Sequence, residues 1–200
     1  MMRIAALLAL APLPALAHHP MGGAVPATLW EGFASGIGHP VIGPDHLAFL
    51  LAAGVLAATL PARRGLLAIL TFVAGGFAGS LAHVAGIGFG PVEALVALSL
   101  VAAGFALLWR GVPAAVLPAA FALAGLVHGH AFAEAIIGAE PTPLVAYLGA
   151  LAMMQAGVAI VAMLVAARVA AAGHGAGLRR AAGVAGLALG VVFAGAALLG

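Results

Sequence analysis

The chain has no cysteine and no lysine, and only 6% of its 200 residues are charged. Without cysteine there is no disulfide and no thiolate metal site. So little charge excludes an ordinary water-soluble domain, in which about a quarter of the residues are charged. The basic excess rests on seven arginines against five acids. They raise the pI to about 10.5, but they are few and scattered and form no nucleic-acid surface. What fills the sequence is apolar: 66% hydrophobic residues and a mean hydropathy of +1.27. Lipid is the solvent that matches such a surface. Glycine (29 residues) and alanine are abundant, as close helix packing in a bilayer favours.

The N-terminus reads as a targeting signal. Met1–Arg3 is a short positive region, residues 4–10 are apolar, and Ala15-Leu16-Ala17 is a small-x-small cleavage site. The expected organisation is a signal peptide over 1–17 and one all-α membrane domain over 18–200, with His18 and His19 opening the mature chain. Six apolar stretches follow, at 31–60, 66–86, 92–109, 114–137, 143–167 and 181–199. Each is close to or above the ~20 residues that cross a bilayer. The first is too long for one straight helix, about 45 Å against a hydrocarbon core of about 30 Å. Pro40 and Pro44 sit inside it among glycines, which predicts a kink or an unwound segment near 38–45. Irregular backbone at membrane depth is stable only where protein covers it or it lines a polar cavity.

The arginines give a topology. After the signal they are Arg63, Arg64, Arg110, Arg168, Arg179 and Arg180, all in the first, third or fifth connection. The second and fourth connections border Glu93 and Glu140 instead. Positive-inside placement puts the odd connections in the cytoplasm and both mature termini in the periplasm. A cleaved signal peptide predicts the same N-terminus. The expected location is the bacterial inner membrane.

Ionisable side chains inside a bilayer are costly and mark function. The first stretch carries His39, Asp45 and His46, the second His83, and the fourth His128, His130 and Glu134. Counted from the helix ends at about 1.5 Å per residue, His39 lies near the outer boundary and His46 about 10 Å below it. Glu134, His130 and His128 come about 6, 12 and 15 Å from the end near Gly138. His83 lies near the periplasmic end of its helix. Residues distant in sequence thus share the outer half of the membrane. His130 and Glu134 have i, i+4 spacing, one face of a helix. Asp45 follows Pro44, where it is placed to cap backbone N–H groups, orient a histidine or bind a cation. Imidazole with carboxylate and no thiolate suits Ni²⁺, Co²⁺, Zn²⁺ or Cu²⁺. A free α-amine with His18 and His19 would add a capture site at the periplasmic mouth. Other features read as structural: Trp30 and Glu31 as an interface pair, Met153-Met154-Gln155 as helix packing, and His174 as a cytoplasmic loop residue. The Gly75/Gly79 and Gly186/Gly190 pairs read as helix contacts.

The segment His39–His46 resembles the signature His-Pro-x-x-Gly-x-Asp-His in the first mature helix of the HupE/UreJ nickel permeases, proteins associated with hydrogenases and ureases. His39, Pro40, Gly43, Asp45 and His46 match it. The family's second signature, Phe-His-Gly-x-Ala-His-Gly-x-Glu, is matched at His128, Gly129 and Ala131. Val127, Phe132 and Ala133 depart from it, and Glu134 comes one residue early. The resemblance implies a six-helix permease rather than an enzyme, with Ni²⁺, or alternatively Co²⁺, as cargo and no permanently bound cofactor. Its expected metal contacts are His39, Asp45, His46, His128, His130, Glu134, His83, His18 and His19. Its expected surroundings are a divalent ion and the lipid bilayer, without nucleic acid. Two rival readings are a haem-binding membrane subunit and an intramembrane protease built on Ser80 and His83.

Overall fold

The computed structural model describes residues 24–109 and 111–199. The signal peptide, His18, His19 and Arg110 lie outside them. Every regular element among the described residues is helical. Helices α1 (Leu29–Ile42) and α2 (Pro44–Ala57) are followed by α3 (Ala62–Val84), α4 (Val92–Leu108) and α5 (Leu117–Phe132). A 3-10 turn (Ala133–Ile136), α6 (Pro141–Ala171) and α7 (Gly175–Leu199) complete the chain.

The first apolar stretch is two helices meeting at 76°. The cause is local. Pro44 disfavours helical dihedrals at the residue before it, and Gly43 is extended (φ −76°, ψ 105°). Pro44 then opens α2, where its missing N–H costs nothing. At the other end of α1, Thr28 and Glu31 form a capping box: each side chain accepts the other's backbone N–H. Glu31, read from sequence with Trp30 as an interface pair, is therefore a helix cap.

Among the described residues, four helical segments are long and apolar enough to cross a membrane: α3, α5 with its 3-10 turn, α6 and α7. The bent α1–α2 pair makes five if it counts as one span. The sequence led us to expect six. The remaining stretch is α4, whose 17 residues extend about 26 Å, short of a ~30 Å core. The surface is inverted relative to a soluble protein. Leu67, Phe77, Leu98, Phe105, Val145 and Val191 are exposed, whereas Ser35, His39, Asp45, His46, His128, His130 and Gln155 are buried.

Close backbone contacts set the register. A Cβ on Gly129 would lie 1.8 Å from the Gly76 carbonyl oxygen, and one on Gly125 2.0 Å from that of Phe72. Gly75 and Gly79 press in the same way on Ala122 and Leu126. These contacts join α3 and α5 as a parallel pair. Gly186 and Gly190 pack on Gly104 and Val101, so α7 runs antiparallel to α4. Gly32 and Gly36 meet the backbone of Pro143 and Tyr147, so α1 runs along α6. This alternation gathers Arg63, Arg64, Arg168, Arg179 and Arg180 at one end of the bundle. There Arg179 donates to the Leu107 carbonyl at the end of α4, as a basic side chain at a helix C-terminus does. The histidines of the first, second and fourth stretches lie at the opposite end.

One buried polar group has no partner among the described residues, Nε2 of Gln155. A buried amide N–H left unmade costs about 1–3 kcal/mol. Gln155→Met keeps the volume and removes the unpaired donors. It is expected to stabilise the protein by about 1 kcal/mol, read as a higher unfolding temperature in detergent. An equal or lower temperature would mean that the amide is paired in the membrane.

Candidate metal site

The break at Gly43 turns two half-helices toward each other. His39 lies in the last turn of α1 and His46 in the first turn of α2. In a straight helix they would be about 10 Å apart along the axis. The bend brings their ring centroids to 6.2 Å. Both rings are almost fully buried, as is Asp45. Oδ1 of Asp45 accepts the backbone N–H of His46 at 2.9 Å, so the carboxylate holds the start of α2.

Hydrogen bonding assigns the histidine tautomers. The Ser99 hydroxyl donates its only proton to the Val96 carbonyl at 2.7 Å. Its 2.8 Å bond to Nε2 of His128 must then be donated by the imidazole. Nδ1 of His128 is left with the lone pair and accepts from Nδ1–H of His46 at 2.9 Å. His46 consequently carries its own lone pair on Nε2. The same logic applies to His39. Tyr147 donates to the Phe132 carbonyl at 2.6 Å, so Nδ1–H of His39 donates to the Tyr147 oxygen at 2.8 Å. His39 too carries its lone pair on Nε2. Fixing one ring nitrogen so that the other faces a cation is how proteins prepare imidazole ligands.

Histidines 83 and 130 form a separate pair. Helix α3 ends in a Schellman motif: Gly86 N–H bonds His83 O, and Ile87 N–H bonds Ala82 O. Gly86 supplies the left-handed residue (φ +81°) that this ending requires. The turn aims the Ile87 carbonyl at Nε2–H of His130, which donates to it at 2.9 Å. Nδ1 of His83 lies 2.9 Å from Nδ1 and 3.1 Å from Nε2 of His130, so the edge of one ring is held against the other. Phe89 stacks on the His130 ring at 4.3 Å.

The candidate residues thus divide. His39 and His46 meet at the break, His128 bonds the His46 ring and Asp45 the His46 backbone, and His83 pairs with His130 on the other face of α5. Glu134 does not share an α-helical face with His130, because α5 tightens to a 3-10 turn after Phe132; its side chain is exposed. No three His, Asp or Glu side chains converge into a ready metal cage among the described residues. His174 is exposed at the α6–α7 turn. Ser99 and Tyr147 escaped the sequence reading, as did the electrostatic coupling of Glu93 to Asp45 and Glu134. Single hydroxyls and a lone acid in apolar helices carry no spacing signal.

Phe132 stands where the family signature has its second histidine. Its ring packs against His46 at 4.1 Å and against His39 at 5.0 Å, an apolar wall to the site. From Ser99 an apolar cleft of about 430 Å³ leads between α2, α4 and α5 toward Val112 and Leu117. The rival readings find no support here. His46 and His128 bond directly to each other, which leaves no room for a porphyrin between them. Ser80 donates to the Gly129 carbonyl at 2.8 Å and is not aimed at His83.

Apolar helices outside and imidazoles with a carboxylate inside mark a multi-pass membrane protein. Residues 5–193 match the family described as HupE / UreJ protein, and the chain belongs to it. That family is associated with nickel and cobalt transport and is not enzymatic. No curated protein and no solved structure matches the chain.

Proposed function

We propose that the chain is a divalent transition-metal permease of the bacterial inner membrane, carrying Ni²⁺ from periplasm to cytoplasm for a nickel enzyme such as hydrogenase or urease. Co²⁺ is the alternative cargo of the same machinery. The observation that carries this reading is the pair His39 and His46 at the helix break. Each ring is almost fully buried and held through Nδ1, His39 against the Tyr147 hydroxyl and His46 against His128, and the buried Asp45 adjoins His46 in the first turn of α2. Neutral imidazoles and one carboxylate replace part of the ion's hydration without enclosing it. A transport site must bind weakly enough to release. His128 orients His46, and His130 and Glu134 belong to the outer region with His83. His18 and His19 at the mature N-terminus would serve capture.

In this reading α1–α2 is one broken span and α4 a short one, six in all. The arginine end faces the cytoplasm. An inside-negative potential then favours entry of a dication by about 4.6 kcal/mol per 100 mV.

The test is uptake by cells expressing the chain, with Ni²⁺, Co²⁺ and Zn²⁺ compared. Ni²⁺ accumulation is expected to rise well above that of vector controls, with Co²⁺ competing and Zn²⁺ weaker. Equal accumulation of all metals with and without the chain would overturn the reading. Reporter fusions after Arg64 and Arg180 should report cytoplasm, and fusions near Gly88 and Glu140 periplasm. A cytoplasmic result at Glu140 would break the six-span arrangement.

A further inference from the structure

The family signatures account for His39, His46 and His128. They do not account for His83 or His130, whose pairing is a feature of this chain's own fold. Two positions apart on a helix turn about 200°, so His128 and His130 leave α5 in nearly opposite directions. His128 reaches His46 and Ser99. His130 reaches His83 and the Ile87 carbonyl. Between them Gly129 is pressed against Gly76 of α3, so backbone separates the two pairs.

The outer pair has the features of a prepared ligand. The Ile87 carbonyl holds the His130 ring, and His130 in turn holds the Nδ1 edge of His83, which turns Nε2 of His83 away from that contact. His130 is itself locked by Phe89 against its face. His83 is only partly buried, so an ion can approach it, whereas His46 is 2% exposed. The exposed Glu134 carboxylate acts electrostatically on His83, and Glu93 couples in turn to Glu134 and Asp45. Three carboxyl groups within electrostatic range of one another thus link the surroundings of the exposed pair to those of the buried one.

We propose that His83, oriented by His130 and with the Glu134 carboxylate in electrostatic range, is a second metal contact, separate from the one at the helix break and taking the same divalent ions. It rests on the reading of the chain as a metal permease. The site is an outer station that captures an ion and shortens its path to His39 and His46. His83 is the contacting residue and His130 a positioning residue.

The test uses Co²⁺ alone as probe, titrated into the full purified chain in detergent and read by its visible ligand-field absorption. His83→Ala is expected to bind about one equivalent less than wild type, His46→Ala to lose a different equivalent, and the double variant to lose both. His83→Asn keeps an N–H for His130 and so guards against misfolding. It should unfold at the wild-type temperature and still lose the equivalent. In cells, His83→Ala should raise the half-saturating concentration for uptake about tenfold, the loss of roughly one imidazole contact, with the maximal rate kept. Wild-type stoichiometry in His83→Ala and His83→Asn would overturn the proposal. So would a double variant that loses no more than either single one, since the two pairs would then share one ion. If His83→Ala loses an equivalent and His46→Ala loses none, the outer station stands and the site at the helix break fails.

Discussion

Replacing His46, Asp45 or His128 by alanine is expected to reduce Ni²⁺ uptake about a hundredfold, the loss of roughly 3 kcal/mol of cation contact, at normal membrane abundance. His174→Ala, at the exposed turn, should leave uptake unchanged. The three alanine variants fail for different reasons, and second substitutions separate them. Asp45→Asn retains an oxygen that accepts the His46 N–H but removes the charge. If Asp45 serves only to hold the start of α2, uptake survives in Asn. If its charge stabilises the dication in a low dielectric, Asn falls as far as Ala. His128 acts by accepting from His46 and donating to Ser99. Glutamine offers both an acceptor and a donor, so His128→Gln should recover uptake that His128→Ala loses. A glutamine variant no better than alanine would instead make His128 a direct metal contact. Full transport in both His46→Ala and Asp45→Ala, at normal expression, would refute the site.

The second large effect is on the scaffold. Gly129→Ala should destabilise the protein by at least about 2–3 kcal/mol and strip it from the membrane. The new methyl would meet the Gly76 carbonyl at 1.8 Å, and relief requires α3 and α5 to separate, which also breaks the Ser80 bond to Gly129. Gly149→Ala is the control. Nothing lies within 4 Å of its Cβ, and in mid-helix alanine is favoured over glycine by about 1 kcal/mol. Unfolding temperature in detergent and abundance in membranes read both. A Gly129→Ala protein as stable as wild type would show that the two helices are not in backbone contact.

Much of this arrangement is legible in the residues. Pro44 dictates the break because a residue before proline avoids the helical region, and Gly43 is where the helix stops. The glycine pairs at 75/79 and 186/190 announced real helix contacts. Counting depth along each stretch put the histidines at a common level. It could not say which helices are neighbours, and so missed that His83 meets His130 while His128 meets His46. Depth is a one-dimensional quantity, whereas pairing depends on the angle around each helix axis. The i, i+4 relation of His130 and Glu134 failed because it presumes a continuous α-helix, which ends at Phe132. The last helix begins at Gly175, before the arginines taken to precede it. Charge marks where a chain meets water, not where its backbone stops being helical.

The glycine contact between α3 and α5 also decides what can move. Two backbones touching without side chains between them have no rotamers to exchange, and a slide of one residue would bring a side chain in place of glycine against the carbonyls of Phe72, Gly76 or Leu126. The pair behaves as a rigid beam. His128 and His130 ride on it. His39 and His46 ride on two half-helices jointed at Gly43. On the permease reading, flexing of the joint against the beam would draw His46 away from His128 and break the bond that aims its ring. The motion that opened the path would then also turn a prepared ligand into an unprepared one, so that the site would weaken its own grip as it opened.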